Sequence, residues 1–148
     1  EFNILDSYKE IYKISKMKAD DINVSLDINK DIDNNYLMIL NVETYKQLCR
    51  ILGVYLDNAI DATKQTDNKQ IGIEIYKNKK NIEIIISNTY KGFIDESKLG
   101  KGGYTTKGEG RGYGLSLVES VLNKNKNFYQ HREIINNYYI QHLTIIVN

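Results

Sequence analysis

The chain of 148 residues contains no proline, no tryptophan and one cysteine. A single cysteine excludes an internal disulfide and a metal site built from cysteines, and we expect Cys49, inside an apolar helical pattern, to fill space in the core. No signal peptide is recognisable, and no apolar run approaches the roughly 20 residues that span a membrane. The net charge is only +1 and the three arginines are scattered. We therefore expect a cytoplasmic domain that is not membrane-inserted and does not bind nucleic acid.

The length corresponds to one ordinary domain. Residues 1–21 are interpreted as the end of an upstream helix or linker, because isoleucines recur there at helical intervals among lysines. Glu1-Phe2, with no Met before them, are interpreted as residues of a cloning site. Residues 22–148 are predicted to form the folded domain.

The hydrophobic pattern after residue 22 predicts alternating strands and helices. The clearest helix is Glu43–Lys64, whose apolar stripe recurs every 3.6 residues and comprises Leu48, Ile51, Leu52, Tyr55, Leu56 and Ala59. The other predicted elements are a strand at 22–28, a polar turn at 29–35, a hairpin at 71–87 with its turn at 77–81, an irregular segment at 88–110, a helix at 112–124, and a hairpin at 128–147 that turns near 136–137. This order predicts an α/β fold, a two-layer sandwich with a mixed, mainly antiparallel sheet and helices on one face.

The most informative segment is Tyr104–Leu115, in which alternating glycines and two cations precede an apolar helical pattern. Glycines let the backbone approach a bulky anion, cations supply charge, and a helix start presents unpaired N–H groups. The segment predicts a phosphate-binding loop; a glycine loop that only connects two elements is the alternative. Its candidate residues are Lys107, Gly108, Gly110, Arg111, Gly112, Gly114 and Leu115.

Helical geometry places Asn58 on the shoulder of the apolar stripe, with Asp61 further round on the same side, while Asp57 points away from the core. Asn58 and Asp61 are therefore predicted to share the edge of a cleft. An ordinary surface amide and a solvated carboxylate are the alternatives. Lys64, another turn along, is expected to point into solvent.

Two ordered motifs, Leu56-Asp-Asn-Ala-Ile-Asp-Ala62 and Lys107–Leu115, with Asn88 at a strand end between them, resemble the GHKL superfamily of gyrase, Hsp90, histidine kinase and MutL ATP-binding domains. The resemblance covers about Ile22 to Asn148. The longer stretches 52–62 and 105–116 look most like the accessory-gene-regulator (Agr-type) peptide-pheromone sensor kinases. The resemblance implies the Bergerat fold, a mobile ATP lid, and ATP and Mg²⁺ as cofactors.

The same resemblance implies roles for the matching residues. Asn58 matches an asparagine that holds Mg²⁺ against the nucleotide phosphates, and Asp61 would contact a metal-bound water. Asn88 stands where many relatives carry an aspartate that accepts a hydrogen bond from the adenine amino group; an asparagine keeps a carbonyl acceptor. Lys107 and Arg111 would bind the β- and γ-phosphates. A strand-ending turn residue at Asn88 and solvated loop cations are the alternatives.

Branches of this superfamily that hydrolyse ATP carry a glutamate four residues before the matching asparagine, where this chain has Val54. A valine cannot accept a proton, so we expect weak hydrolysis and phosphoryl transfer to another acceptor. His131 and His142 fall in predicted strands, where we expect surface residues. The resemblance thus implies the catalytic domain of a two-component sensor histidine kinase, whose acceptor histidine lies on an upstream dimerisation domain.

In full, the resemblance implies a homodimeric peptide quorum-sensing receptor in a bacterial cell membrane that phosphorylates a response regulator. A degenerate GHKL module that only binds nucleotide is the main alternative, because the glycines usual after the residue at position 88 are missing. Val54 disfavours a chaperone-like or topoisomerase-like ATPase. A dinucleotide-binding Rossmann domain is disfavoured because the glycines do not follow a strand.

Overall fold

The computed structural model describes residues 15–32, 34–92 and 113–147, and for residues 34, 35 and 113–115 it describes the backbone alone. Within these ranges the chain forms four helices and five strands. They are α1 (15–19), β1 (Asn23–Ile28), α2 (Asn34–Leu37), α3 (Val42–Thr63), β2 (Gln70–Asn78), β3 (Asn81–Thr89), α4 (Tyr113–Lys124), β4 (Phe128–Ile135) and β5 (Tyr138–Ile145).

The strands form one five-stranded sheet in the order β1-β2-β3-β5-β4. β1 runs parallel to β2, and every other neighbouring pair is antiparallel. α3 packs against β2 and β3, and α4 packs against α3 and β4. The predicted α/β sandwich with a mixed, mainly antiparallel sheet is therefore confirmed.

The two hairpins differ in how well their turns were predicted. β4 and β5 are joined by Asn136 and Asn137, both with positive φ (49° and 69°), a conformation that asparagine tolerates better than most residues. This turn lies where the sequence predicted it. The turn predicted at 77–81 was too long, because the ladder continues to the pair Asn78–Asn81 and only Lys79 and Lys80 remain unpaired in the turn.

Alternate residues of the central strands point towards the helices and form the core. We call this side of the sheet the helix face and the other side the open face. The buried residues of the helix face include Ile71, Ile73, Ile75, Ile82, Ile84, Ile86, Leu143 and Ile145. The predicted stripe of α3 is buried against them at every position, from Leu48 to Ala59.

β1 is an edge strand whose predicted core-facing side is only partly covered. Val24 is half-buried, but the side chains of Leu26 and Ile28 are 49% and 37% exposed, because α3 packs over β2 and β3 instead. The predicted polar turn after β1 also differs from the structure. It leads into the unpredicted helix α2, and Ile32 and Leu37 are buried in the core.

α3 has clear signals at both ends. The side chain of Asn41 caps its start by accepting a hydrogen bond from the backbone N–H of Thr44 at 2.8 Å. At its end Lys64 is exposed, as expected, but it also forms an ion pair with Asp20 at 3.1 Å. That contact joins the end of α3 to the segment after α1. In the described ranges, no helix combines the length and the apolar character needed to cross a membrane.

Candidate functional site

One flank of α3 carries the polar residues singled out in the sequence. Val54, Asn58 and Asp61 are half-buried, whereas Asp57 on the other flank is exposed. This is the difference that helical geometry predicted. The half-burial of Asn58 matches its predicted place on the shoulder of the apolar stripe. That it shares the edge of a cleft with Asp61, and that it binds a metal, stay predictions.

Hydroxyl groups bind the end of α3 to the end of β3. The Oγ1 atoms of Thr63 and Thr89 lie 2.5 Å apart, and Thr89 Oγ1 donates to the carbonyl of Asn68 at 2.8 Å. Since each hydroxyl has one proton, Thr63 must donate to Thr89, and Thr63 Oγ1 accepts from the backbone N–H of Gln70 at 3.1 Å. These bonds fix the last turn of α3 against the strand that carries Asn88.

Asn88 is fully buried and points towards the helices, since it pairs with the helix-face residues Ile71 and Tyr139. Its Nδ2 donates to the carbonyl of Thr89 at 3.0 Å. Its Oδ1 is buried with no hydrogen-bond partner in the part of the chain that the structure describes. A buried acceptor without a partner costs about 1–3 kcal/mol, so this atom marks a place where a donor is expected to bind.

A second group of buried polar side chains lies beside Asn88 on the helix face. Tyr55 of α3 donates its hydroxyl to Oε1 of Gln130 at 2.9 Å, and Gln141 donates from Nε2 to the carbonyl of Tyr55 at 3.3 Å. Three further buried atoms have no partner among the described residues: Tyr139 OH, Gln141 Oε1 and Arg132 Nη1. With Asn88 they form one patch that spans β3, β5 and β4.

Burial disfavours ionisation of the two phenols in this patch. Burial raises the pKa of Tyr55 well above its usual value, and the nearby charge of Arg132 offsets only part of the rise. Burial likewise raises the pKa of Tyr139, opposed by its contact with Arg132. That contact does not give the phenol oxygen of Tyr139 a hydrogen bond of normal geometry.

The sequence reasoning missed Gln141 and Tyr139. Both occupy the inward phase of β5, between residues that are otherwise apolar, and a polar residue in the buried phase of a strand was the available signal. Ser116, in the first turn of α4, also has a buried hydroxyl with no partner in the described ranges. Its place in the second motif was noted, but no role was assigned to it.

The open face carries a different kind of buried polar cluster. Glu83, almost fully buried, accepts a hydrogen bond from Nε2 of His142 at 2.9 Å and another from the hydroxyl of Thr144. Directly across from His142 in β4 lies His131, whose side chain is 67% exposed. The expectation of two surface histidines therefore holds for His131, while His142 is partly covered by its partner Glu83.

Most of the predicted phosphate loop lies outside the described residues. This applies to Lys107, Gly108, Gly110, Arg111 and Gly112. Gly114 and Leu115 lie in the first turn of α4, of which the backbone is described at these positions. The helix predicted directly after the glycines is confirmed, and the binding roles of these residues stay predictions.

No metal-binding cluster of three or more His, Cys, Asp or Glu side chains occurs within 15–32, 34–92 and 113–147. Mg²⁺ in nucleotide sites keeps several waters and phosphate oxygens and needs only one or two protein ligands. A single half-buried amide at Asn58 is compatible with that kind of coordination.

Several solved structures with a similar fold are histidine kinases or their catalytic domains. The catalytic domain of histidine kinase ThkA matches with a TM-score of 0.72 at 19% identity, over 93% of this chain and 86% of that one. Acinetobacter baumannii histidine kinase AdeS matches with a TM-score of 0.67 at 16% identity, over 98% and 61%. Full-length ShkA in complex with AMPPNP matches with a TM-score of 0.72 at 13% identity, over 96% and 29%. At these low identities the matches show that the fold is similar, and they show no more than that.

The sequence comparisons are consistent with that fold. No curated protein gives a significant match. The family model for the GHKL domain matches residues 44–146, which include most of α3, the strands β2 to β5 and α4. The chain belongs to the GHKL domain family.

Proposed function

We propose that this chain is the ATP-binding catalytic domain of a two-component sensor histidine kinase. It binds Mg²⁺–ATP and donates the γ-phosphoryl group to a histidine on a separate dimerisation domain, from which a response regulator takes it. The wording of the two motifs supports an Agr-type receptor for peptide quorum sensing, homodimeric and anchored in a bacterial cell membrane, with this domain on the cytoplasmic side.

The observation that carries the proposal is the unpaired Oδ1 of Asn88, buried where the ends of α3 and β3 are bound together. Nδ2 already donates a hydrogen bond to the carbonyl of Thr89, so the side-chain atom left without any partner is the acceptor Oδ1. The amino group of adenine is a donor, so an adenine nucleotide supplies the missing hydrogen bond. The AMPPNP complex of ShkA supports the same class of ligand.

The flank of α3 supports the phosphate end of the site. Asn58 offers an amide oxygen suited to Mg²⁺, and we assign Asp61 to a metal-bound water. Bound Mg²⁺ would neutralise charge on the phosphates and orient them. We assign Lys107 and Arg111 to the β- and γ-phosphates, with Gly108, Gly110, Gly112, Gly114 and Leu115 forming the loop and helix start around them.

The chemistry expected here is transfer by positioning and charge stabilisation. Val54 stands where a base would activate water, and a half-buried valine cannot take a proton. His131 and His142 lie on the open face, whereas Asn58 and Asn88 belong to the helix side of the sheet. Because both histidines lie on the side of the sheet opposite to Asn58 and Asn88, we infer that the acceptor histidine belongs to another domain.

The test is a transfer assay with γ-labelled ATP, Mg²⁺ and a fragment carrying the dimerisation helices of the receptor. We expect acid-labile phosphohistidine on that fragment and none on this chain. Asp57→Ala is the matched control and should transfer normally, while Asn58→Ala should not. Binding of ATP without transfer would favour a regulatory nucleotide-binding module, and rapid phosphate release by the isolated domain would favour an ATPase.

A further inference from the structure

Gln141 is a fully buried amide in the middle of β5, on the helix face. Its Nε2 donates to the carbonyl of Tyr55, whereas its Oε1 has no partner in the described ranges. Arg132 lies directly opposite in β4, yet its Nη1 is also buried and unpaired. A buried amide left half-paired costs free energy, which a hydrogen-bond donor placed at Oε1 would recover.

In both buried amides the NH2 group is hydrogen-bonded and the carbonyl oxygen is not. In Gln141 the donor is held by a helix carbonyl, and in Asn88 the donor is held by the carbonyl of Thr89. Both side chains are therefore left with a buried acceptor. The two residues share the helix face of neighbouring strands, and both unpaired atoms require the same kind of partner, a hydrogen-bond donor.

Sheet register and the contact with α3 bring Gln141 to the site already described. Asn88 pairs with Tyr139, and Gln141 is the next residue of β5 on the same face. Diagonal neighbours of this kind lie about 7–8 Å apart, within reach of long side chains. The carbonyl that Gln141 contacts belongs to Tyr55, one helical turn before Asn58 on α3.

We propose that Gln141 is a base-recognition residue of the nucleotide site: its Oε1 accepts a hydrogen bond from the amino group of the bound base, directly or through one bound water. The inference rests on the proposed function, since it needs a nucleotide beside Asn88. Two acceptors match the two N–H donors of the adenine amino group. Guanine presents a carbonyl oxygen at the same ring position, and this oxygen would face acceptors without a proton between them.

The experiment compares ATP with purine riboside triphosphate, which lacks only the amino group. Both are titrated calorimetrically, with Mg²⁺, into the wild-type chain and Gln141→Met. We expect wild type to prefer ATP by about 50-fold, and the variant to bind ATP about 10-fold more weakly, about one hydrogen bond's worth. Its affinity for purine riboside triphosphate should stay within about twofold, so that the preference falls to about 5-fold.

Gln130→Met is the matched control. Gln130 is also a glutamine of the helix face, but its Oε1 is already occupied by the hydroxyl of Tyr55. Its substitution should lower stability and leave the preference for the amino group unchanged. An equal loss of preference in both variants would show that Gln141 acts only through the packing of Tyr55, and would overturn the proposal.

The remaining outcomes separate this inference from the proposed function. If wild type binds ATP but Gln141→Met keeps the full preference, the inference fails and the proposed function stands. If wild type binds neither nucleotide, both fail. Should Gln141→Met not fold, NMR of the wild type decides: the side-chain amide signals of Gln141 must shift clearly more with ATP than with purine riboside triphosphate, and equal shifts would overturn the proposal.

Discussion

Two buried polar clusters lie on opposite faces of one sheet, and they differ in how completely their hydrogen bonds are made. On the open face, Glu83 is held by His142 and Thr144, and none of these side chains has an unpaired buried atom in the described residues. On the helix face, Asn88 and Gln141 each keep a buried oxygen without a donor.

The difference indicates different roles. A fully paired cluster stabilises the strands that supply it, here β3 and β5, and needs no further component. A half-paired cluster costs stability in the free protein, and the cost is recovered when a ligand with the missing donors binds. We therefore interpret the open-face cluster as structural and the helix-face cluster as part of a binding site.

The largest effect on stability is expected from removing Glu83, the shared acceptor of the open-face cluster. Glu83→Leu leaves the groups of His142 and Thr144 without their acceptor, and should lower the free energy of unfolding by about 3 kcal/mol. The affinity for ATP should stay within about twofold, since no part of the site is touched. Urea unfolding and calorimetry on the same preparation measure both.

Glu133→Leu is the control on the same face. Nε2 of His131 and Oε2 of Glu133 lie 3.5 Å apart, and the two side chains are 67% and 42% exposed, so we expect a change below about 0.5 kcal/mol. A folded Glu83→Leu protein that had lost its affinity for ATP would contradict the division between the two faces.

Substitution of Asn88 should instead change the affinity for ATP and leave stability nearly unchanged. Asn88→Leu removes an unpaired buried oxygen and should leave the free energy of unfolding unchanged or raise it by up to about 1 kcal/mol. The affinity for ATP should fall about 10-fold, because the amino group of the base loses one of its two acceptors. Asn88→Asp keeps an acceptor and should bind ATP nearly as well as wild type. Equal affinity in wild type and Asn88→Leu would show that the base does not reach this residue.

An effect no larger than this is expected at the predicted metal site, where substitutions on the two flanks of α3 can be compared. Asn58→Ala should abolish the roughly tenfold gain in ATP affinity that we expect from Mg²⁺. Asp57→Ala, on the exposed flank, should keep that gain. Titrations with and without Mg²⁺ measure the difference, and an unchanged Mg²⁺ dependence in Asn58→Ala would place the metal elsewhere.

The smallest effect concerns the pH dependence of stability. Tyr55 has its pKa raised by burial, so above about pH 10 the unfolded chain loses this proton while the folded chain keeps it. The stability that the neutral, buried phenol of Tyr55 contributes is complete below about pH 10, and it is lost as the pH rises above that value. The advantage of wild type over Tyr55→Phe should therefore shrink by about 1 kcal/mol near pH 11. Urea midpoints between pH 8 and 11 check this, and a constant difference would contradict it.

Much of the fold was predictable because local patterns decided it. The apolar period of α3 predicted every residue of its buried stripe, and the pair Asn136–Asn137 predicted the second hairpin turn. The partial exposure of Leu26 and the burial of Ile32 were not predictable, because they depend on which strands α3 covers. Helix α2 was missed because four residues are too short for a periodic pattern.

The candidate site also has a part that the sequence predicted and a part that it did not. Helical geometry alone placed Asn58 on a half-buried flank and Asp57 on an exposed one. The burial of Asn88 and the half-paired state of Gln141 depend on the β3–β5 register and on a contact with Tyr55, which lies 86 residues away in the chain. The sequence shows a polar residue in the buried phase of β5, but it does not show which groups that residue pairs with.

The most direct test is a calorimetric titration of the wild-type chain with ATP, with and without Mg²⁺. We predict saturable binding at one site that is tighter with Mg²⁺, because Asn88 supplies a base acceptor and Asn58 a ligand for the metal. The absence of saturable binding at millimolar ATP would contradict a nucleotide site on the helix face of this sheet.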